Sequence, residues 1–338
     1  MNSISMVQSN VDALPPPNAD AIFAELPALK SPPLLSSLLS SRPDEPYAKR
    51  LSNRFSQCSA SNAGSWPGDA MLSRWKSYRE RLEECRKDPT PESVHELRVA
   101  IRRLISQFVL VNQIFPSRSF ERARNVLKRQ LESLGDLRDT HVALMFLRQQ
   151  RIKFPDLVGL ITRLERRERS LIRRASRKIA RFKTKKLEKW AYSGIALIEG
   201  QSHGHLVLRH VPSIALQSAN AAFVDVIERW RMIDRADLRT IHRTRVAFKK
   251  FRYIVESLPP ELTGFGKRDL RALAGYQRSM GNIQDIEVIL ASVRSLVKRH
   301  DNVRLASFYG YLKGRRARAA RSFLKKSDRL LQFWRSQV

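Results

Sequence analysis

The chain has 338 residues, 42% of them hydrophobic, which is enough for a sizeable core in one large domain or two ordinary ones and excludes disorder throughout. Its formal charge is +31, from 63 Lys and Arg against 32 Asp and Glu, far more than solubility requires. A polyanionic partner accounts for such a balance: nucleic acid, an anionic membrane or polyphosphate.

Residues 1–70 hold five basic and six acidic side chains, so the whole excess lies in 71–338. Pro, Ser, Gly and Asn crowd "LPPPNAD", "LKSPPLLSSLLSSRPDEP" and "SASNAGSWPGD", and this segment reads as a disordered, low-complexity tail with one short amphipathic piece, "DAIFAELPAL". The first residues show neither a basic leader nor an apolar h-region, and no run approaches the roughly 18 apolar residues of a membrane span. Cys58 and Cys85 make no disulfide framework. A cytoplasmic protein without a membrane span is expected.

From Met71 onward the pattern is helical. Leu72, Trp75, Tyr78 and Leu82 recur at three- and four-residue spacings. "DPTPES" then stops one helix and starts the next, with Thr90 as N-cap, Pro91 at the first helical position and Pro116 as terminator. Further helices are predicted over 118–134, 137–151, 156–198, 213–234, 237–257, 267–281, 283–299 and 302–334. The stretch "GQSHGHLVLRHVP", 200–212, is the one clear break. The fold class is all-α.

A long repeat organises this run. "VHELRVAIRRLISQF" (94–108) matches "IHRTRVAFKKFRYIV" (241–255) at an offset of 147, and "LGDLRDTHVALMFL" (134–147) matches "MGNIQDIEVILASV" (280–293) at an offset of 146. Solenoid repeats are much shorter, so each unit is a multi-helix bundle. The architecture predicted is a duplicated antiparallel helical bundle over 71–338, with a first half 71–200, a linker 200–212 acting as hinge, and a second half 212–338.

On a helical wheel the first repeat sets Leu97, Ile101, Leu104 and Phe108 toward a core and His95, Arg98 and Arg102 along a stripe beside it, with Arg103 pointing elsewhere. The second repeat aligns His242, Arg245, Lys249 and Arg252 in the same way. Such ladders of Arg forks and Lys charges suit a linear row of phosphates. Arg124 and Lys128, Arg138 and Arg271 extend the candidate surface, and Arg173 with Arg166 and Arg177, and Arg315 with Arg318, form weaker sets. Gly135 and Gly281 read as helix ends, with Asp139 and Asp285 in the first turn of the helix that follows. No Gly-rich phosphate loop, zincin motif or paired-acid motif points to catalysis; "HGH" at 203–205 in the linker reads as incidental, and no metal or cofactor is expected. Net charge alone does not separate a polyphosphate binder from a nucleic-acid binder.

These paired motifs resemble the CHAD family, the conserved-histidine α-helical domains. His95, Arg98, Arg102, Arg103 and "LGDLRDTHV" fit one unit; His242, Arg245, Lys249, Lys250, Arg252, Tyr253 and "MGNIQDIEV" fit the other, and the resemblance covers roughly 71–335. It implies a non-catalytic module that binds inorganic polyphosphate through basic residues between the halves and can associate with polyphosphate granules, nucleic acid being a competitor. Ile105 and Ala274 depart from the family pattern, where basic residues are common. The triphosphatase domain that accompanies many relatives is not found, so a stand-alone copy is expected.

Overall fold

The computed structural model describes residues 66–200, 205–300 and 305–334, without the side chains of 199–209 and 295–300. Most of the expected tail, with Cys58 and the amphipathic piece, and the "HGH" side chains lie outside the described residues.

Eleven α-helices and no strand occur among the described residues. They are α1 (Trp66–Lys87), α2 (Pro91–Ile114), α3 (Arg118–Ser133), α4 (Gly135–Gln150), α5 (Leu157–Ala180), α6 (Lys185–Gly200), α7 (His205–Arg231), α8 (Arg239–Val255), α9 (Pro260–Thr263), α10 (Lys267–His300) and α11 (Ala306–Leu324), closed by a 3-10 turn Ser327–Gln332. Helix α1 starts earlier than expected because Pro67 falls in its first turn, where a missing N–H costs no intrahelical bond. The buried Gln107 amide of α2 donates to the Pro67 carbonyl at 3.0 Å and holds that start in place. Helix α7 begins inside the expected 200–212 connector.

The helix expected over 302–334 ends at Leu324, before the 3-10 turn, and two predicted boundaries differ as well. The single helix expected over 156–198 breaks at 181–184, where Arg86 of α1 donates to the carbonyls of Ile179 (3.4 Å) and Phe182 (3.0 Å) and satisfies the free end of α5. The break folds α6 back so that Leu187, Ala191, Ile195 and Ile198 bury against α1. A continuous helix would run roughly 60 Å, past any core able to cover it. In contrast, the break expected at Gly281 is absent, and α10 runs straight through it. Asp285 therefore lies within a helix, not in its first turn.

Three cores result. The first joins α1, α2, α3, the end of α5 and α6 around Tyr78, Phe108 and Phe120. The second joins α7, α8, the start of α10 and the end of α11 around Phe248 and Phe251, and it takes in Leu110 and Ile114 from α2. The third is shared: Leu144 and Leu147 of α4 and Leu160 and Leu164 of α5 pack with Ile289, Leu290 and Val293 of α10 and Phe308 of α11. Because the halves bury apolar surface in common, the described parts of both pack as one unit.

Candidate functional site

Each histidine helix is anchored before it reaches the site. On α2 the Thr90 hydroxyl accepts the Ser93 N–H at 3.1 Å, with Pro91 at the first helical position, as the sequence predicts. On α8 the Asp237 carboxylate accepts the first helical N–H, that of Arg239, at 3.0 Å. The buried Thr244 hydroxyl reaches the carbonyls of Arg229 (3.1 Å) and Thr240 (3.0 Å), tying the helix to the end of α7.

The histidine motif and the glycine motif touch. Helix α3 is closed by Leu134, which takes φ −103° and ψ 2° and returns its N–H to the Leu131 carbonyl at a long 3.3 Å. Arg98, only 3% exposed, donates from Nη1 to the Leu131 carbonyl at 2.8 Å and complements the negative end of that helix. In the second half the corresponding Arg245 lies against Gly281: a Cβ there would stand 3.6 Å from its Nε and 3.8 Å from Nη2. Gly281 is thus a site of close approach to a guanidinium, not a helix end. Lys249, the counterpart of Arg102, is 5% exposed. The expectation that Arg98 and Lys249 meet a ligand directly is corrected by this burial; both lie beneath the surface and contribute charge from there.

Above them a chain of charges crosses both halves. Arg138 of α4 senses Asp285 of α10 and Arg102 of α2, and Asp285 in turn feels both Arg245 and Arg138. Burial lowers the Arg138 pKa, Arg102 adds to that, and Asp285 opposes it. Crowding by the surrounding protein raises the Asp285 carboxyl against the pull of Arg245 and Arg138, although the residue is exposed at the surface. His95 is held below the usual histidine range, by burial first and then by Arg138. His242 is depressed to about 4 by burial, Arg245 and Lys249, with Gln284 opposing. Both rings are therefore neutral at pH 7, single donors until an anion arrives.

Beside this chain, a cleft of about 490 Å³ opens between α4, α10 and α11, lined by Met145, Phe146, Asn282, Asp285, Arg315 and Arg318. The weaker pair Arg315 and Arg318 thus borders the site directly, with the Arg315 guanidinium 5.1 Å from the Phe146 ring centroid.

The remaining predicted residues lie elsewhere. Arg252 is corrected: its Nε pairs with Glu256 Oε1 at 2.8 Å, one helical turn on, with both side chains 12% exposed. Glu256 also takes Arg103 Nε at 3.3 Å, and its carbonyl takes Arg74 Nη2 at 2.8 Å, so this knot joins α1 and α2 to α8. Arg124 is sensed by Lys250 in the company of Asp225 and Arg229, and Lys128 stands 4.0 Å from Glu132 of its own helix. Arg173 and Arg271 are exposed on α5 and α10, and the Arg271 Nε reaches back to the Lys267 carbonyl at 3.2 Å.

The comparison with known proteins follows this geometry. The family model of the CHAD domain matches residues 69–294. The chain belongs to the CHAD family. The crystal structure of the CHAD domain from the plant Ricinus communis matches at a TM-score of 0.53 and 20% identity, over 78% of this chain and 91% of that one, a likeness of fold. No curated protein matches the chain. No described helix of this CHAD protein is long and apolar enough to cross a membrane.

Sequence reasoning did not find His141, which is 3% exposed on α4 with Nε2 3.4 Å from Glu168 Oε1. Burial and Arg138 hold its pKa at about 4, so the contact joins a neutral ring to a carboxylate. The available signal was its repeat counterpart, Glu287, which pairs with Arg316 at 2.6 Å.

Proposed function

We propose that this CHAD protein binds inorganic polyphosphate without catalysing a reaction, on the surface where α2, α4, α8 and α10 meet. The observation that supports this reading is Asp285 of α10, whose carboxyl feels both Arg138 of α4 and Arg245 of α8, so that the two repeated basic faces come near one another at this carboxyl. The strip draws on a domain that holds all of the +31 excess charge. Arg102 and Arg138 supply accessible forks for successive phosphates, neutral His95 and His242 add N–H donors, and Arg315 and Arg318 extend the row. A bound polyanion would raise the pKa of both histidines and add charge where it is needed. Recruitment to polyphosphate granules follows from such binding.

The test is competition for fluorescently labelled long-chain polyphosphate at matched phosphate concentration. Inorganic polyphosphate should displace the label at lower concentration than double-stranded DNA, and affinity should fall steeply with salt. If DNA displaces the label more effectively, this is a nucleic-acid-binding protein.

A further inference from the structure

A second cavity, about 330 Å³, opens where α3, the 181–184 turn and α6 meet, on residues outside the polyphosphate strip. Its floor carries two half-buried aromatic rings, Phe182 and Trp190, beside Leu187, and its rim carries Arg129, Arg181, Lys183 and Lys186. The turn is fixed from beneath, because Arg86 of α1 holds the Phe182 carbonyl at 3.0 Å. No acidic partner stands against the four rim cations among the described residues, and the nearby Glu188 is engaged by Arg79 at 3.0 Å. The cavity also includes Gln130, 5% exposed, whose Oε1 accepts the Tyr78 hydroxyl at 2.9 Å and whose amide N–H groups are left for another acceptor.

These features select a ligand. Four cations call for more negative charge than one carboxylate or phosphate supplies. A floor of rings and aliphatic carbons gains nothing from bare phosphate, but it gains from a flat heterocycle, since stacking is indifferent to base identity. The volume falls at the small end of ligand clefts. We propose that the cavity is a nucleotide site, taking a nucleoside di- or triphosphate with its base against Trp190 and Phe182 and its phosphates on Arg129, Arg181, Lys183 and Lys186. Gln130 donates to a ring acceptor of the base. The site is independent of the polyphosphate strip.

Calorimetric titration of the full chain with ATP and, separately, with inorganic tripolyphosphate tests this. In the Arg102→Glu, Arg138→Glu background, which disables the polyphosphate strip, ATP should bind about tenfold more tightly than tripolyphosphate. The Lys183→Glu, Lys186→Glu double variant, altered at two exposed positions, should lose ATP binding by more than about tenfold. Trp190→Ala should abolish the preference for ATP while keeping the affinity for tripolyphosphate. The Arg102→Glu, Arg138→Glu variant should bind ATP as the native chain does. Equal affinity for ATP and tripolyphosphate in the Arg102→Glu, Arg138→Glu background overturns the proposal, leaving a phosphate patch only. So does ATP affinity that falls with the strip variant and ignores the Lys183 and Lys186 reversals. If Trp190→Ala does not fold, the lysine variant and the two-ligand comparison still decide.

Discussion

Arg98 is the residue on which the histidine-helix and polyphosphate readings separate most sharply. Arg98→Ala removes a guanidinium that is 3% exposed and donates at 2.8 Å to the Leu131 carbonyl. A hydrogen bond involving a charged group contributes roughly 1.5–3 kcal/mol. The lost carbonyl partner is offset only weakly, since the Leu134 N–H that also reaches Leu131 does so at 3.3 Å. Loss of the buried aliphatic stem adds about 1 kcal/mol. The sum is about 2–4 kcal/mol, which for a domain of this size lowers Tm by roughly 4–16 °C. Urea unfolding followed by circular dichroism measures the loss, and polyphosphate titration below the transition measures binding by the folded fraction. Stability should fall while affinity changes less than about threefold. A variant of native stability that binds more than tenfold more weakly would refute the reasoning and return Arg98 to the ligand-contacting surface.

Three other outcomes follow from the same geometry. Glu256→Ala removes the acceptor shared by Arg103 and Arg252 and leaves two half-buried guanidinium groups without it, so Tm should drop by several degrees; an unchanged melting curve would show the knot to be idle. His141, with a folded pKa of about 4 against about 6.5 unfolded, takes up its proton more readily in the unfolded chain. Its contribution is therefore complete above about pH 6.5 and declines toward pH 4 by about 3 kcal/mol, and His141→Phe should make urea stability less steep over that window, with His242 and His95 supplying the slope that remains; an unchanged slope would contradict the depressed pKa. The Arg102→Glu, Arg138→Glu variant should weaken polyphosphate binding more than tenfold and reduce the slope of log K against log salt by about two, and native affinity in a folded variant would remove the strip assignment.

Periodicity and the 147-residue offset are enough to predict helices and their duplication, because both depend on local patterning. The Thr90 cap was equally local. Contacts across the chain were not. Arg98 and Arg102 share a stripe on the wheel, but only the crossing of α3 over α2 decides that Arg98 is covered and Arg102 half-open. The break at 181–184 contains no Gly or Pro, and its partner, Arg86, comes from a helix almost a hundred residues earlier. Gly281 misled for the opposite reason: glycine signals a helix end and a close approach alike, and only Arg245 beside it shows which applies.

The repeat is also asymmetric in a direction that bears on binding. Arg138 aligns with Gln284, half-open Arg102 with buried Lys249, and His141 with Glu287. At these positions the first half carries the more accessible, the more cationic or the less anionic residue. The second half keeps structural parts, with Arg245 packed on Gly281 and Asp285 within reach of the charges of Arg245 and Arg138. A carboxyl amid cations costs attraction for an anion, yet it also offsets the repulsion that crowded guanidinium groups exert on one another. The acid therefore lets two basic faces stand near one another, and its repulsion is tolerable because a bound phosphate need only approach the arginine forks on either side. A duplicated fold can divide labour in this way when its halves share a core, since a charge lost from one half is replaced at short range by the other.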